Sequence, residues 1–128
     1  MPALPFLLAA AGAYLMCSLP TGYLVARARG VDIRRVGSGN IGATNVFRIL
    51  GTPAGVFVLL VDAGKGALAV LSLPRLVPAL AAGADPSWLA LVAALGAVLG
   101  HNYTCWLGFR GGKGIATSAG VLAALVPW

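Results

Sequence analysis

Three apolar runs, roughly Leu4–Ala26, Thr52–Leu73 and Ser87–Leu107, restrict what this chain can become more than any other feature. Each is close to the ~20 residues that a helix needs to cross the hydrocarbon of a bilayer, where backbone polar groups must be satisfied within the segment. The expected fold is therefore all-α, a polytopic membrane helix bundle. Composition agrees: 59% of the 128 residues are apolar, 9% are charged, and mean hydropathy is +0.92, a balance foreign to soluble domains. A fourth apolar run begins after Gly114 and continues toward Trp128. The reading is three full spans plus the start of a fourth, in one domain over residues 1–128. No Lys or Arg precedes the first run, so it lacks the basic start of a signal peptide and reads as a retained span.

In a soluble chain the net charge of +6 would suggest nucleic acid as a partner, but here the basic residues are gathered between the apolar runs. Arg27, Arg29, Arg34, Arg35 and Arg48 follow the first span, and Arg110 and Lys113 follow the third. The positive-inside rule puts both of these segments in the cytoplasm and the N-terminus outside. The link around Leu73–Pro86, where Arg75 and Asp85 cancel, also falls outside. Within it, Leu76–Ala84 between Pro74 and Pro86 reads as a short interfacial helix. Cys17 and Cys105 have no C-x-x-C spacing and no nearby histidine ligands, so they read as packing residues, with no metal and no cofactor implied.

Two polar glycine-rich loops interrupt this apolar chain: Gly37-Ser38-Gly39-Asn40-Ile41-Gly42-Ala43-Thr44-Asn45 and Gly108-Phe109-Arg110-Gly111-Gly112-Lys113-Gly114. Glycine lets backbone N–H groups turn toward an anion, and the neighbouring Arg and Lys supply full charge to the same target. The first loop contains a formal G-x-G-x-x-G, but a dinucleotide fold needs flanking strands, whereas the acidic candidate Asp62 lies inside a span. The second resembles half of a Walker A loop. Gly114, however, stands where Ser or Thr would hold magnesium, which argues against an NTPase. Asn45 and Arg48 share a face of a short helix running to about Gly51, with Ser38, Asn40 and Thr44 at or before its start, a geometry suited to anions. Asp62 and Lys65, three apart in the second span, read as a buried ion pair, and Gly64 and Gly66 beside them read as points of close helix approach. His101, the only histidine, reads as a hydrogen-bonding residue near the site. Ser38 and His101 lie on separate segments, and a nucleophile and base pair between them is the alternative to that reading.

In these stretches the chain resembles the acyl-phosphate glycerol-3-phosphate acyltransferases, the PlsY-type bacterial membrane enzymes. The resemblance rests on the first loop with Arg48, on Asp62-Ala63-Gly64-Lys65-Gly66, and on Gly100-His101-Asn102 leading into Phe109-Arg110-Gly111-Gly112-Lys113-Gly114. It implies transfer of a fatty acyl group from acyl phosphate to the 1-hydroxyl of sn-glycerol 3-phosphate, giving lysophosphatidic acid and phosphate at the cytoplasmic face of the inner membrane. Ser38 and Arg48 are the implied catalytic residues. The implied substrate-binding set is Gly39, Asn40, Thr44, Asn45, His101, Gly111, Gly112, Lys113 and Gly114, with Gly111, Gly112 and Gly114 offering backbone to phosphate. Asp62 and Lys65 play a supporting part. The family fold has seven membrane helices and a third cytoplasmic motif with Asn and Glu, which nothing after Gly114 supplies. The chain is therefore expected to be a part of the enzyme, inactive alone. A phosphate transporter is the alternative from another class, and a non-catalytic membrane scaffold is a third.

Overall fold

The computed structural model describes residues 2–126 and contains six α-helices, with no strand among the described residues. The first apolar run does not form the single helix expected over Leu4–Ala26. It forms α1 (Leu4–Cys17) and α2 (Thr21–Ala28), separated by Ser18, Leu19 and Pro20. Proline lacks the N–H that would continue the ladder, and its ring collides with the preceding turn. The break persists because the carbonyls it frees find donors elsewhere. Thr104 Oγ1 donates to the Ser18 carbonyl, and Lys65 Nζ donates to the Leu19 carbonyl at 2.9 Å.

A polar segment with a one-turn 3-10 helix at Ile33–Arg35 leads to α3 (Ala43–Leu50), which stops at Gly51 with φ 93°. The second span, α4, runs from Thr52 to Leu80 and passes through Pro74 and Pro78. The expected interfacial helix over Leu76–Ala84 is thus absent as a separate element. The prolines remove the donors to the Val70 and Pro74 carbonyls, yet the helix continues, with Leu73 and Val77 beside them buried in the bundle core. Its 29 residues extend about 43 Å, more than the hydrocarbon thickness. Pro86 at the first turn and Asp85 as N-cap, accepting from Ser87 N–H at 2.7 Å, start α5 (Pro86–Asn102). The last residues of the third run leave the helix and form a 3-10 turn at Cys105–Leu107. Helix α6 (Ile115–Leu125) is the start of the fourth apolar segment; Pro127 and Trp128 lie outside the described residues.

Three segments, Ala3–Ala28, Thr52–Leu80 and Pro86–Leu107, are long and apolar enough to cross a membrane. They are held together by small residues. Gly96 and Gly100 of α5 lie against the backbone of Ala10 and Tyr14 in α1, and Gly66 of α4 and Gly120 of α6 lie against the backbones of Thr117 and Ala63, where a Cβ would have no room. Gly64 has open space around it, so of the two glycines flanking Lys65 only Gly66 marks a helix contact. The side chains left outside, among them Leu60, Leu95 and Leu122, are well exposed and suited to lipid. A second, smaller core of Ile33, Ile41, Val46, Ala54 and Val58 underlies the first glycine loop and gives that polar segment a fixed base.

Candidate active site

The first loop is wound around one side chain. Asn45, at the start of α3 and only 1% exposed, makes five hydrogen bonds. Its Nδ2 donates to the carbonyls of Val36 and Asn40 at 3.0 Å each and of Ile33 at 3.3 Å. Its Oδ1 accepts from Ser38 N–H at 3.1 Å and from Arg48 Nη1 at 3.3 Å. An amide offers two N–H bonds and two lone pairs, so all its capacity is used. Asn45, expected to touch substrate, lines the cleft described below and also holds the residues around it. Smaller turns complete the loop: Ser38 Oγ accepts from Asn40 N–H at 3.3 Å, and Asn40 Oδ1 accepts from Gly42 N–H at 2.7 Å. The Ser38 hydroxyl proton, the Asn40 amide N–H bonds and the Thr44 hydroxyl have no protein acceptor among the described residues. Gly39, at φ 75°, packs against the Arg34 carbonyl and does not line the cleft described below.

The second loop is held by backbone alone. Gly111 N–H donates to the Asn102 carbonyl at 2.8 Å and Gly112 N–H to the His101 carbonyl at 3.2 Å, folding the loop back along the end of α5. The amides of Gly111 and Gly112 are therefore already committed, contrary to the expectation that they face phosphate. What requires glycine there is closeness: a Cβ at Gly111 would strike the His101 carbonyl, and one at Gly112 would strike the imidazole. The free donors come next in the chain. Gly114, in the left-handed region at φ 79°, turns into α6, where the first matched amide is Ser118 N–H on the Gly114 carbonyl. The preceding amides of Ile115, Ala116 and Thr117 have no intrahelical acceptor, and the positive end of the helix dipole lies with them.

Under the loops lies a buried polar cluster. Lys65 Nζ is 2.9 Å from Asp62 Oδ1, 2.9 Å from His101 Nδ1 and 2.9 Å from the Leu19 carbonyl. Asp62 is 1% exposed, His101 5% and Lys65 8%. Ions so placed are costly, and this pair persists because the ammonium is surrounded by acceptors supplied by α4, α5 and the break after α1. The ion pair read from the sequence is present. The Leu19 carbonyl is a contact of this cluster that residue types could not reveal, although Pro20 within the first apolar run signalled that carbonyls would be freed there.

These parts meet at one cleft of about 230 Å³, whose lining includes Ser38, Asn40, Thr44, Asn45, Arg48, Asp62, His101, Lys113 and Gly114, and Ile115 and Ala116 from the start of α6. Two cations, unpaired helix amides and free hydroxyls around so small a volume suit a phosphate-bearing ligand. No carboxylate or imidazole makes a hydrogen bond to Ser38 among the described residues, so the Ser38–His101 pair is not formed. No group of three or more His, Cys, Asp or Glu side chains is arranged to hold a metal among the same residues.

Residues 7–128 match the glycerol-3-phosphate acyltransferase family. The chain belongs to that family. This acyltransferase-family chain is 54% identical over 127 residues to a glycerol-3-phosphate acyltransferase of Synechococcus sp. (strain JA-3-3Ab), covering 98% of the chain and 59% of the relative. It is 54% identical to that of Geobacter metallireducens, covering 91% of the chain and 57% of the relative. The Myxococcus xanthus protein of the same name is 52% identical, with 89% and 57% covered. Two crystal structures of PlsY (YgiH), described as an integral membrane glycerol 3-phosphate acyltransferase, superpose on it. The glycerol 3-phosphate form has a TM-score of 0.80 at 41% identity, covering 95% of this chain and 58% of that one. The lysophosphatidic acid form has 0.77 at 39% identity, with 95% and 57% covered. The acyltransferase-family chain thus spans somewhat more than half the length of the relatives it matches.

Proposed function

We propose that the cleft serves acyl transfer from an acyl phosphate to the 1-hydroxyl of sn-glycerol 3-phosphate, giving lysophosphatidic acid and inorganic phosphate. The observation that carries this reading is the convergence of Ser38, Arg48, Lys113 and the unpaired amides at the start of α6 on one cleft beside the membrane spans. The relatives' shared name supports it. So do the two PlsY structures, whose ligands have the chemistry of the acceptor and of the acylated product.

Both substrates carry phosphate, and the acyl phosphate is already activated because phosphate is a stable leaving group. In the step, the acceptor hydroxyl oxygen forms a bond to the acyl carbon, the acyl carbon–oxygen bond to phosphate breaks, and the hydroxyl proton passes to a phosphate oxygen. Since no base touches Ser38, the reading assigns proton acceptance to a substrate phosphate and direct transfer to the acyl group. Arg48 and Lys113 hold the two anions side by side against their mutual repulsion. The Ser38 hydroxyl and the α6 amides stabilise the charge that grows on the carbonyl and leaving oxygens. The basic ends of the spans favour a cytoplasmic site in a bacterial inner membrane, because Arg27, Arg29, Arg34, Arg35, Arg48, Arg110 and Lys113 all fall in the same two inter-span segments.

The test is the purified protein in detergent or vesicles with palmitoyl phosphate and labelled glycerol 3-phosphate, run beside the chain lengthened to the span of its relatives. Lysophosphatidic acid from the lengthened form that disappears in Ser38→Ala supports the reading. A burst of acyl-enzyme from acyl phosphate alone would replace direct transfer with a covalent route. No product from either form would sink the assignment.

A further inference from the structure

We propose that Lys65 is a positioning residue that locks His101 as the neutral imidazole with its proton on Nε2, so that in the cleft this histidine donates a hydrogen bond and does not remove a proton. The argument begins with the ammonium. It has three N–H bonds and no lone pair to offer. Around it, each at 2.9 Å, stand the Leu19 carbonyl, an Asp62 carboxylate oxygen and His101 Nδ1. The contact with Asp62 is an ion pair, and the ammonium, having no lone pair, can meet Nδ1 only as a donor, so Nδ1 contributes its lone pair and carries no hydrogen. A neutral ring must then carry its proton on Nε2.

The doubly protonated ring is disfavoured by the same geometry, because a proton on Nδ1 would point at the ammonium. Asp62 does not reverse this, since its Oδ1 is 3.9 Å from Nδ1 and already beside Lys65. The charged side chains facing the ring from α4 are these two alone. On its own side of the cleft, the second loop brings Lys113, a further cation, to the same cavity. The remaining nitrogen has a defined outlook. Nε2 lies against Gly112, where even one added carbon would collide with it, and His101 lines the cleft. Nε2 makes no hydrogen bond to protein among the described residues, so its proton is available to a bound phosphate or carbonyl oxygen. The tautomer stands on the contacts of Lys65 alone. Its use toward substrate rests on the reading of the cleft given above.

Because His101 is the only histidine in the sequence, protein labelled with 15N-histidine gives one pair of ring resonances. At neutral pH the expected pattern has Nδ1 in the unprotonated range and Nε2 in the protonated range. An Nδ1-protonated or doubly protonated ring would overturn the proposal. In Lys65→Met the lock is removed, and the pattern should change to averaged tautomers or to a ring that titrates. A folded Lys65→Met that keeps the wild-type pattern also overturns it, and Lys65→Arg should retain the Nε2–H form. Should Lys65→Met fail to fold, the wild-type spectrum still decides the tautomer. Adding glycerol 3-phosphate should move the Nε2 resonance and leave Nδ1 nearly fixed. Absence of that shift, with the tautomer as expected, would remove the donor role and count against the phosphate reading while leaving the Lys65 contacts explained.

Discussion

The two glycine loops deliver similar goods to the cleft by opposite means. The first is organised by a side chain: Asn45 reaches into it and ties Val36, Ser38, Asn40 and Arg48 together. The second is organised by the absence of side chains, with Gly111 and Gly112 lying so close to His101 and Asn102 that backbone bonds alone fix the path. Glycine-rich sequence therefore has two meanings in one site. In one loop it permits turns around a hub, and in the other it permits contact.

The strongest way to break this comparison is Gly111→Ala. Its Cβ would meet a carbonyl of α5, which cannot rotate away, so the loop must leave its seat. We expect a loss of at least about 3 kcal/mol in stability together with loss of ligand binding, read by thermal unfolding in detergent and by titration with glycerol 3-phosphate. A fully stable, binding-competent variant would mean that the second loop is not held by closeness. Next is Asn45→Ala, which leaves buried carbonyls without donors and frees Arg48. A cost of about 2 kcal/mol is expected, with weakened binding and faster hydrogen exchange at the Ser38 amide. Unchanged exchange there would remove Asn45 from its place as hub.

Lys113→Ala sharpens the contrast from the other side, because this residue is in the second loop but takes no part in holding it. Stability should change by less than about 0.5 kcal/mol, while KM for glycerol 3-phosphate, measured in an active form, rises by about tenfold or more. The smallest effect concerns the root of the first loop. Arg34 donates two hydrogen bonds to the Asp32 carboxylate at 3.0 Å, and this holds the Asp32 carboxyl down to about 2. A carboxylate whose folded value lies below its unfolded value of about 4 stabilises fully above that value, and the contribution fades as pH falls toward 2. Asp32→Asn should flatten a slight acid dependence of unfolding between those limits. Because the carboxylate is only partly buried and its partner Arg34 is exposed, the change is small, and a variant with the same acid dependence as wild type would show that the pair contributes nothing.

The spans were legible in the sequence because length and hydropathy alone determine them. What proline does within them was not. Pro20 stands at the break in the first run while Pro74 and Pro78 leave the second intact, and partners from elsewhere in the fold reach the carbonyls freed at the break. At the break those partners are Lys65 and Thr104, far along the chain from Leu19 and Ser18, and no local pattern announces them. The cleft shows the same limit. Ser38, Arg48, His101 and Lys113 were identifiable from residue type and loop context, and all four line it. The division of labour was not identifiable: Asn45 uses its amide on the loop it belongs to, the amides of Gly111 and Gly112 bond to the end of α5, and the amides of Ile115 and Ala116, in residues with no polar side chain, are left free at the cleft. A glycine immediately before an apolar run is the sequence signal for such a helix start, and Gly114 provides it.

The environment of Lys65 has a consequence for how this site responds to electrolyte. Its charge is cancelled within 2.9 Å by Asp62 and is closed off from solvent, so at the distance of an approaching anion the two form a short dipole with little net field. Ions in solution have nothing there to screen. The salt sensitivity of phosphate binding should therefore report Arg48 and Lys113 and be nearly blind to the third cation, buried in α4.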